Sequence, residues 1–226
     1  MGIKEEQQKV WDEIASGWTN WRQRPEAIAE RLAGEWKPGK ILDAGCGNCR
    51  NLFPFAKAGF ECYGIDFSSK MIELAKENCK RNKIKVNLDV ADADALPYKN
   101  ASFDYVISIA VIHHLDTKES RANAIQEIKR VLKPRGKALI SVWNKLQWKF
   151  VFKSKDIFMP WHRKGMEYNR YYHFFTHWEL QEQIKKAGLK IVWSSGPFGR
   201  NLQAIVEKRQ KYSKITENSS KKENAV

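Results

Sequence analysis

Apolar positions along the chain fall into short runs separated by stretches of helical spacing. Residues 40–43 (Lys40-Ile41-Leu42-Asp43) and 61–66 (Glu61-Cys62-Tyr63-Gly64-Ile65-Asp66) read as strands, the first running straight into glycines. Residues 69–81 put Met71, Ile72, Leu74 and Ala75 on one side of a helix. Residues 85–90 alternate with period two, and 103–109 are nearly all apolar, as a strand covered on both faces should be. Residues 118–132 predict a helix stopped by Pro134 and Gly136, and 137–143 a further buried strand. A helix over 176–187 ends at Gly188. Two last strands, 189–193 and 202–206, have no helix between them and predict an antiparallel hairpin at one edge. Repeated strand–helix units imply an α/β fold, a mostly parallel sheet with helices on both faces.

The same pattern sets the expected organisation. A single domain should span 1–207, with an N-terminal helical cap at 3–35 broken near Pro25. An insert at 144–175 is rich in aromatic and basic residues, and 208–226 read as a basic, disordered tail. No apolar run approaches the ~20 residues of a membrane span, and the first residues show no signal-peptide pattern. Four cysteines at irregular spacing argue for a reduced, cytoplasmic protein with no membrane partner. The net charge of +14 over 226 residues adds a polyanion to the candidate partners.

Candidate chemistry begins at Asp43-Ala44-Gly45-Cys46-Gly47-Asn48-Cys49, after the first strand. Glycines there let a ligand approach the backbone, and a following helix N-terminus supplies free N–H groups. A dinucleotide fingerprint would need glycine at position 50, which is Arg50. Asp66 ends the second strand, where a carboxylate can accept both ribose hydroxyl protons. Asp92 follows the third strand and can accept from an adenine amino group, with the Ala93 N–H reaching a ring nitrogen. Ile109 ends the fourth strand at the same face. One Asp after each of three successive strands points to a nucleoside-containing ligand at the carboxyl ends of the sheet. Cys46 and Cys49 have C-x-x-C spacing, but no second pair completes a zinc site, so no metal is expected in this chain.

The Asp-x-Gly-x-Gly run resembles the first motif of class I methyltransferases, which implies S-adenosylmethionine as cofactor, with Asp43 closing the turn and Gly45 and Gly47 beside its methionine part. That motif often has a third glycine where this chain has Cys49. His113-His114, after the fourth strand, reads from the residues alone as core filler, a metal pair or a catalytic pair. Together with Ser108-Ile109-Ala110-Val111-Ile112, with Asp156-Ile157-Phe158-Met159-Pro160-Trp161, and with Arg170-Tyr171-Tyr172-His173-Phe174 followed by Glu179-Leu180, it resembles the transfer-RNA wobble carboxymethyluridine methyltransferases. These include the yeast-type enzyme and the methyltransferase domain of the AlkB-like protein.

The resemblance implies a Rossmann-like seven-stranded sheet with one antiparallel edge strand. It implies methylation of a 5-carboxymethyluridine carboxylate at wobble position 34 to a methyl ester. Arg22, His113, His114, Asn144 and Arg170 would line the acceptor pocket. The implied partners are the transfer-RNA anticodon loop and a small zinc-binding activator pairing along a sheet edge, the zinc belonging to the activator. Two alternatives stay open: a small-molecule O- or C-methyltransferase, and a non-catalytic RNA-binding scaffold.

Overall fold

Fifteen helices and strands order the chain in a computed structural model that describes residues 2–163 and 165–210. The helices are α1 (Ile3–Trp21), α2 (Ala27–Glu35), α3 (Phe53–Lys57), α4 (Ser69–Arg81), α5 (Lys118–Val131) and α6 (His177–Lys186). The strands are β1 (Lys40–Ala44), β2 (Glu61–Asp66), β3 (Val86–Val90), β4 (Phe103–Ile109), β5 (Leu132–Trp143), β6 (Asp156–Arg163), β7 (Met166–His173), β8 (Leu189–Ser194) and β9 (Asn201–Lys208).

Seven strands form one sheet in the order β3-β2-β1-β4-β5-β9-β8. The pairs from β3 to β5 are parallel. β9 runs against both of its neighbours, so the reversed strand of the expected edge hairpin lies between β5 and β8, with β8 outermost. Alternation on β1 shows how the core divides. Leu42 packs on one side with Val106, Ile140 and the apolar faces of α5 and α6. Ile41 packs on the other with Ile107, Leu139 and residues of α2, α3 and α4. Chain order reverses between β1 and β4, which opens a crevice at their carboxyl ends.

Two segments differ from the sequence expectation. α5 passes directly into β5, which begins at Leu132 and carries Pro134 and Gly136 within it. The β4–β5 register shifts between Phe103 and Tyr105, and this irregularity absorbs the proline that lacks an N–H. The 144–175 insert contains a hairpin, β6 with β7, paired from Asp156↔His173 to Arg163↔Met166. Gln7 on α1 fastens it: its amide donates to the Asn169 carbonyl at 3.0 Å and accepts from the Tyr171 N–H at 2.8 Å. Within the insert Phe150, Tyr171 and Tyr172 are buried, while Trp148 and Phe152 are exposed.

β9 continues through Lys208, whose ammonium donates to the Arg130 and Leu132 carbonyls, so the expected tail does not begin there. The remainder of that tail, 211–226, lies outside the described residues. Among the described residues no helix is long and apolar enough to cross a membrane.

Candidate active site

The crevice at the carboxyl ends of β1, β2 and β4 is a cleft open to solvent. Gly45, Gly47, Asp66, Asp92, Ala93, Ile109 and His114 line it, as do Trp11 and Trp18 of α1. The two glycines do different work. A Cβ on Gly45, at φ +97°, would lie 2.3 Å from Val111 Cγ2, so that glycine permits close packing of the loop. A Cβ on Gly47, at φ +52°, would meet nothing nearer than Trp18 Nε1 at 4.0 Å, so that glycine leaves room in the cleft itself. Cys49 adopts φ +70° without being glycine, at a cost of about 1–2 kcal/mol. Its side chain is wholly buried among α2, α3 and α4, away from the cleft. All four cysteines are free thiols, and no cluster of metal-ligating residues exists among the described residues.

Asp66 shows that these residues fit a ribose. Its Oδ2 accepts the Gly47 N–H at 2.9 Å and its Oδ1 the Ser68 N–H at 3.0 Å. Each oxygen keeps a second lone pair for a hydroxyl proton. Burial pushes its pKa up to about 6, against those two hydrogen bonds. Asp43 lies just beneath, 1% exposed, with neither oxygen hydrogen-bonded. Burial pushes it up to about 8, with Arg50 opposing and Asp66 adding. A cation in the cleft above this orphaned carboxyl would favour its ionised form, as a sulfonium or ammonium does. Asp92 is in the cleft wall but already pairs with Lys4 of α1 at 3.1 Å, so α1 reaches over the expected adenine end.

On the opposite side of His114, side chains from α1, β5 and β7 converge. Arg170 is 6% exposed; Nη1 donates to Tyr172 Oη at 2.8 Å, and Nε has no partner. Its guanidinium lies 5.0 Å from the Trp161 ring centroid and 5.3 Å from that of Tyr172. Among the described residues no carboxylate lies within 4.0 Å of it. Arg22 caps α1, with its guanidinium 4.1 Å over Trp21, a 3.7 Å approach to Glu26 and a buried unpaired Nε. Burial and the Arg50 charge depress its pKa, and it also senses Arg200 and Tyr172. Both guanidiniums act electrostatically on Tyr172, and each keeps a buried Nε without a partner, an arrangement suited to an anion.

Both histidines belong to this region. His114 Nδ1 bonds the Tyr171 carbonyl at 3.0 Å, so Nδ1 carries the proton and Nε2 is left as an acceptor. Burial pushes its pKa down to about 3, with Arg170 adding. His113 is wholly buried and stacks on Tyr172 at 5.5 Å. Its Nδ1 accepts the Trp143 N–H at 3.1 Å, which leaves an unpartnered Nε2–H. Burial first, then His114 and His173, holds it well below the imidazole range. Neither ring is a cation at neutral pH.

Asn144 is a correction. It was expected in the acceptor pocket, but its amide donates to Pro197 O and Gly199 O, each at 2.7 Å, and its Oδ1 accepts from Leu146 N at 2.9 Å. Both amide hydrogens hold the β8–β9 loop, and Oδ1 holds the Leu146 N–H. Sequence reasoning missed a second buried group on the other face of β7. His173 bonds Asp156 at 2.7 Å and Glu179 at 2.8 Å, and Tyr171 Oη bonds Asp156. Burial raises Glu179, but hydrogen bonds from His173 and Lys155 outweigh it and hold its pKa at about 2. This network ties the hairpin to α6. Strand alternation thereby aims Arg170 and Tyr172 the other way. The spacing Tyr171-x-His173 with Glu179 was its signal.

Comparison with known proteins agrees with this geometry. A family model described as a methyltransferase domain matches residues 42–140. A protein of Encephalitozoon cuniculi that is named a putative methyltransferase is 30% identical over 210 residues, 88% of this chain and 94% of that one. The tRNA (carboxymethyluridine(34)-5-O)-methyltransferase of Schizosaccharomyces pombe is 29% identical over 213 residues, 81% of this chain and 88% of that one. The chain spans about a third of the length of the mammalian tRNA methyltransferase 9B relatives, matched at 30–32% identity. An S-adenosylmethionine-dependent methyltransferase structure from Methanosarcina mazei superposes with TM-score 0.70 and 21% identity, over 82% of this chain and 99% of that one. Cleft, sheet order and relatives agree that this chain belongs to a methyltransferase family with the class I S-adenosylmethionine-dependent fold, and that it is similar in sequence to the tRNA (carboxymethyluridine(34)-5-O)-methyltransferases.

Proposed function

We propose that this chain transfers a methyl group to the carboxylate of a 5-carboxymethyluridine-type wobble base in transfer RNA, giving the methyl ester. The observation that carries the reading is Arg170, a buried guanidinium with no carboxylate of its own among the described residues. An unpaired buried cation is costly unless an anion arrives to complete it. The relative from Schizosaccharomyces pombe bears the corresponding name.

The chemistry suits the residues present. When bound, S-adenosylmethionine supplies an electrophilic methyl group. A carboxymethyl group has a pKa near ~4, so at neutral pH it is already a nucleophile and no side chain must take its proton. Arg170 and Arg22 hold one edge of the carboxylate and leave the other free. Tyr172 and Trp161 exclude water from it. The bare Nε2 of His114 suits the N3–H of uracil, which an imidazolium would repel. Asn144 takes no part in this step.

The fold is proposed to work as one methyltransferase domain in which α1 and the β6–β7 hairpin form the acceptor side. A small zinc-binding activator is proposed to add along β3, whose outer edge has no strand partner among the described residues and where Val90 is 52% exposed. Free thiols at all four cysteines support a cytoplasmic setting.

The test is nucleoside mass spectrometry of transfer RNA carrying 5-carboxymethyluridine, incubated with the protein and methyl-labelled S-adenosylmethionine. Label in a wobble methyl ester supports the reading. Label elsewhere in the RNA, or on small acceptors alone, overturns it.

A further inference from the structure

Asn144 raises a question that the acceptor pocket does not answer. A wholly buried amide spends both of its N–H donors on the short loop between β8 and β9. That is a large commitment for a connection whose tip is exposed. The tip carries Phe198, 86% exposed, and Arg200, also exposed. Among the described residues no carboxylate lies within 4.0 Å of Arg200.

The loop is also well placed. Asn201 pairs with Trp143 at the carboxyl end of β5. The Trp143 ring packs 4.8 Å from Tyr172 and 5.6 Å from His113. Arg200 therefore stands at the rim of the anion site, and Arg22 senses its charge. Arg22 has Glu26 beside it while Arg200 has no such carboxylate among the described residues, and a polyanion relieves the repulsion between the two cations.

We propose that the β8–β9 loop is a strand-gripping finger, in which Arg200 holds a backbone phosphate beside the target nucleotide, Phe198 stacks on an adjacent base, and Asn144 is the positioning residue that sets both. The inference rests on the RNA reading above and extends it to residues outside the acceptor pocket. Arg200 neutralises one phosphate and releases its counter-ion. Phe198 offers a face that any unpaired base can use. The ligand class is single-stranded RNA, since an exposed ring needs a splayed base.

The experiment measures affinity of the full chain for an anticodon stem-loop RNA across a salt series, with S-adenosylmethionine affinity reporting an intact fold. Arg200→Ala should weaken binding about five- to tenfold at low salt and flatten the log–log salt slope by about 0.7, the loss of one phosphate contact on a single strand. Arg200→Lys should restore the slope. Phe198→Ala should weaken binding by about fivefold or more with the slope unchanged. Asn144→Ala should produce both effects in part. Slopes for Arg200→Ala parallel to the unaltered protein would overturn the phosphate contact while leaving the function standing. An unaltered protein with no salt-dependent RNA binding would overturn the RNA reading and this inference with it.

Discussion

Replacing Arg170 with methionine separates function from stability at one buried site. The guanidinium makes one hydrogen bond, to Tyr172 Oη at 2.8 Å, and lies near two ring faces. Losing a hydrogen bond to a charged group costs about 1.5–3 kcal/mol. Two cation–π contacts add about 1–2 kcal/mol. Against this, the change removes a cation that is 6% exposed and lacks a carboxylate, a desolvation penalty of several kcal/mol. Methionine keeps most of the apolar stem packed on Trp161. The two sides nearly cancel, so Arg170→Met should unfold within about 1 kcal/mol of the unaltered protein. A conventional buried ion pair would instead lose about 3–5 kcal/mol on losing one partner. Activity should behave differently. If Arg170 holds the acceptor carboxylate, kcat/KM for carboxymethylated RNA falls by about 10- to 150-fold, from the same 1.5–3 kcal/mol. Urea denaturation and steady-state methylation of the same variant supply both numbers. Destabilisation beyond about 3 kcal/mol with kcat/KM preserved would refute the reasoning and make Arg170 a structural residue.

Three further outcomes follow from the site. The rate at saturating RNA should be level from about pH 6.5 to 9, because His114 stays neutral with a pKa of about 3 and the acceptor is ionised throughout; a tenfold rise per pH unit would mean that a proton must leave an amine or hydroxyl. Asp66→Ala should weaken S-adenosylmethionine binding about 10- to 100-fold by calorimetry, and in the unaltered protein affinity should rise from pH 5 to 7 as Asp66 ionises about its value of 6; an unchanged affinity in the folded variant would take Asp66 out of the site. Asp43 is protonated more readily in the folded chain, at about 8, than unfolded, at ~3.9, so its contribution to ligand-free stability is full below pH 4 and is lost as pH rises through 8. Asp43→Asn should flatten that decline in thermal unfolding, and an unaltered slope would count against the assignment.

The cofactor half of the site was legible because its signals are local. Asp43 sits near the end of β1 with Gly45 and Gly47 at fixed spacing after it, Asp66 ends β2 and Asp92 follows β3. Each acts through the backbone geometry of its own turn. The acceptor half was legible only in part. Arg170 and the histidines came from a resemblance, and their roles depend on partners distant in sequence. Asn144 shows the limit: a polar residue after a strand looks the same whether it faces a ligand or, as here, two carbonyls some 50 residues away. The β6–β7 hairpin was hidden for a different reason. Its burial alternates along β6, but the outward positions include Phe158 and Pro160, so hydrophobicity does not alternate with it.

One helix borders both the cofactor cleft and the acceptor side. α1 is 19 residues long, about 28 Å, and carries Lys4 over the adenine end, Trp11 and Trp18 along the cleft, and Trp21 against Trp161 at the acceptor mouth. Gln7 and Gln8 fix its first turns to β7 and to Phe67, Asp12 accepts from Ser68 and Lys70, and Asn48 donates to the Arg22 carbonyl at its far end, so it is a rod held along its length. A ligand that shifts such a rod at one end moves the wall of the other site with it. The two affinities are then linked, and linkage is reciprocal: whatever factor the nucleoside cofactor adds to RNA binding, RNA returns to the cofactor. The demethylated product keeps its ribose and adenine but loses the sulfonium charge, so its linkage to RNA binding should be weaker than that of the methyl donor.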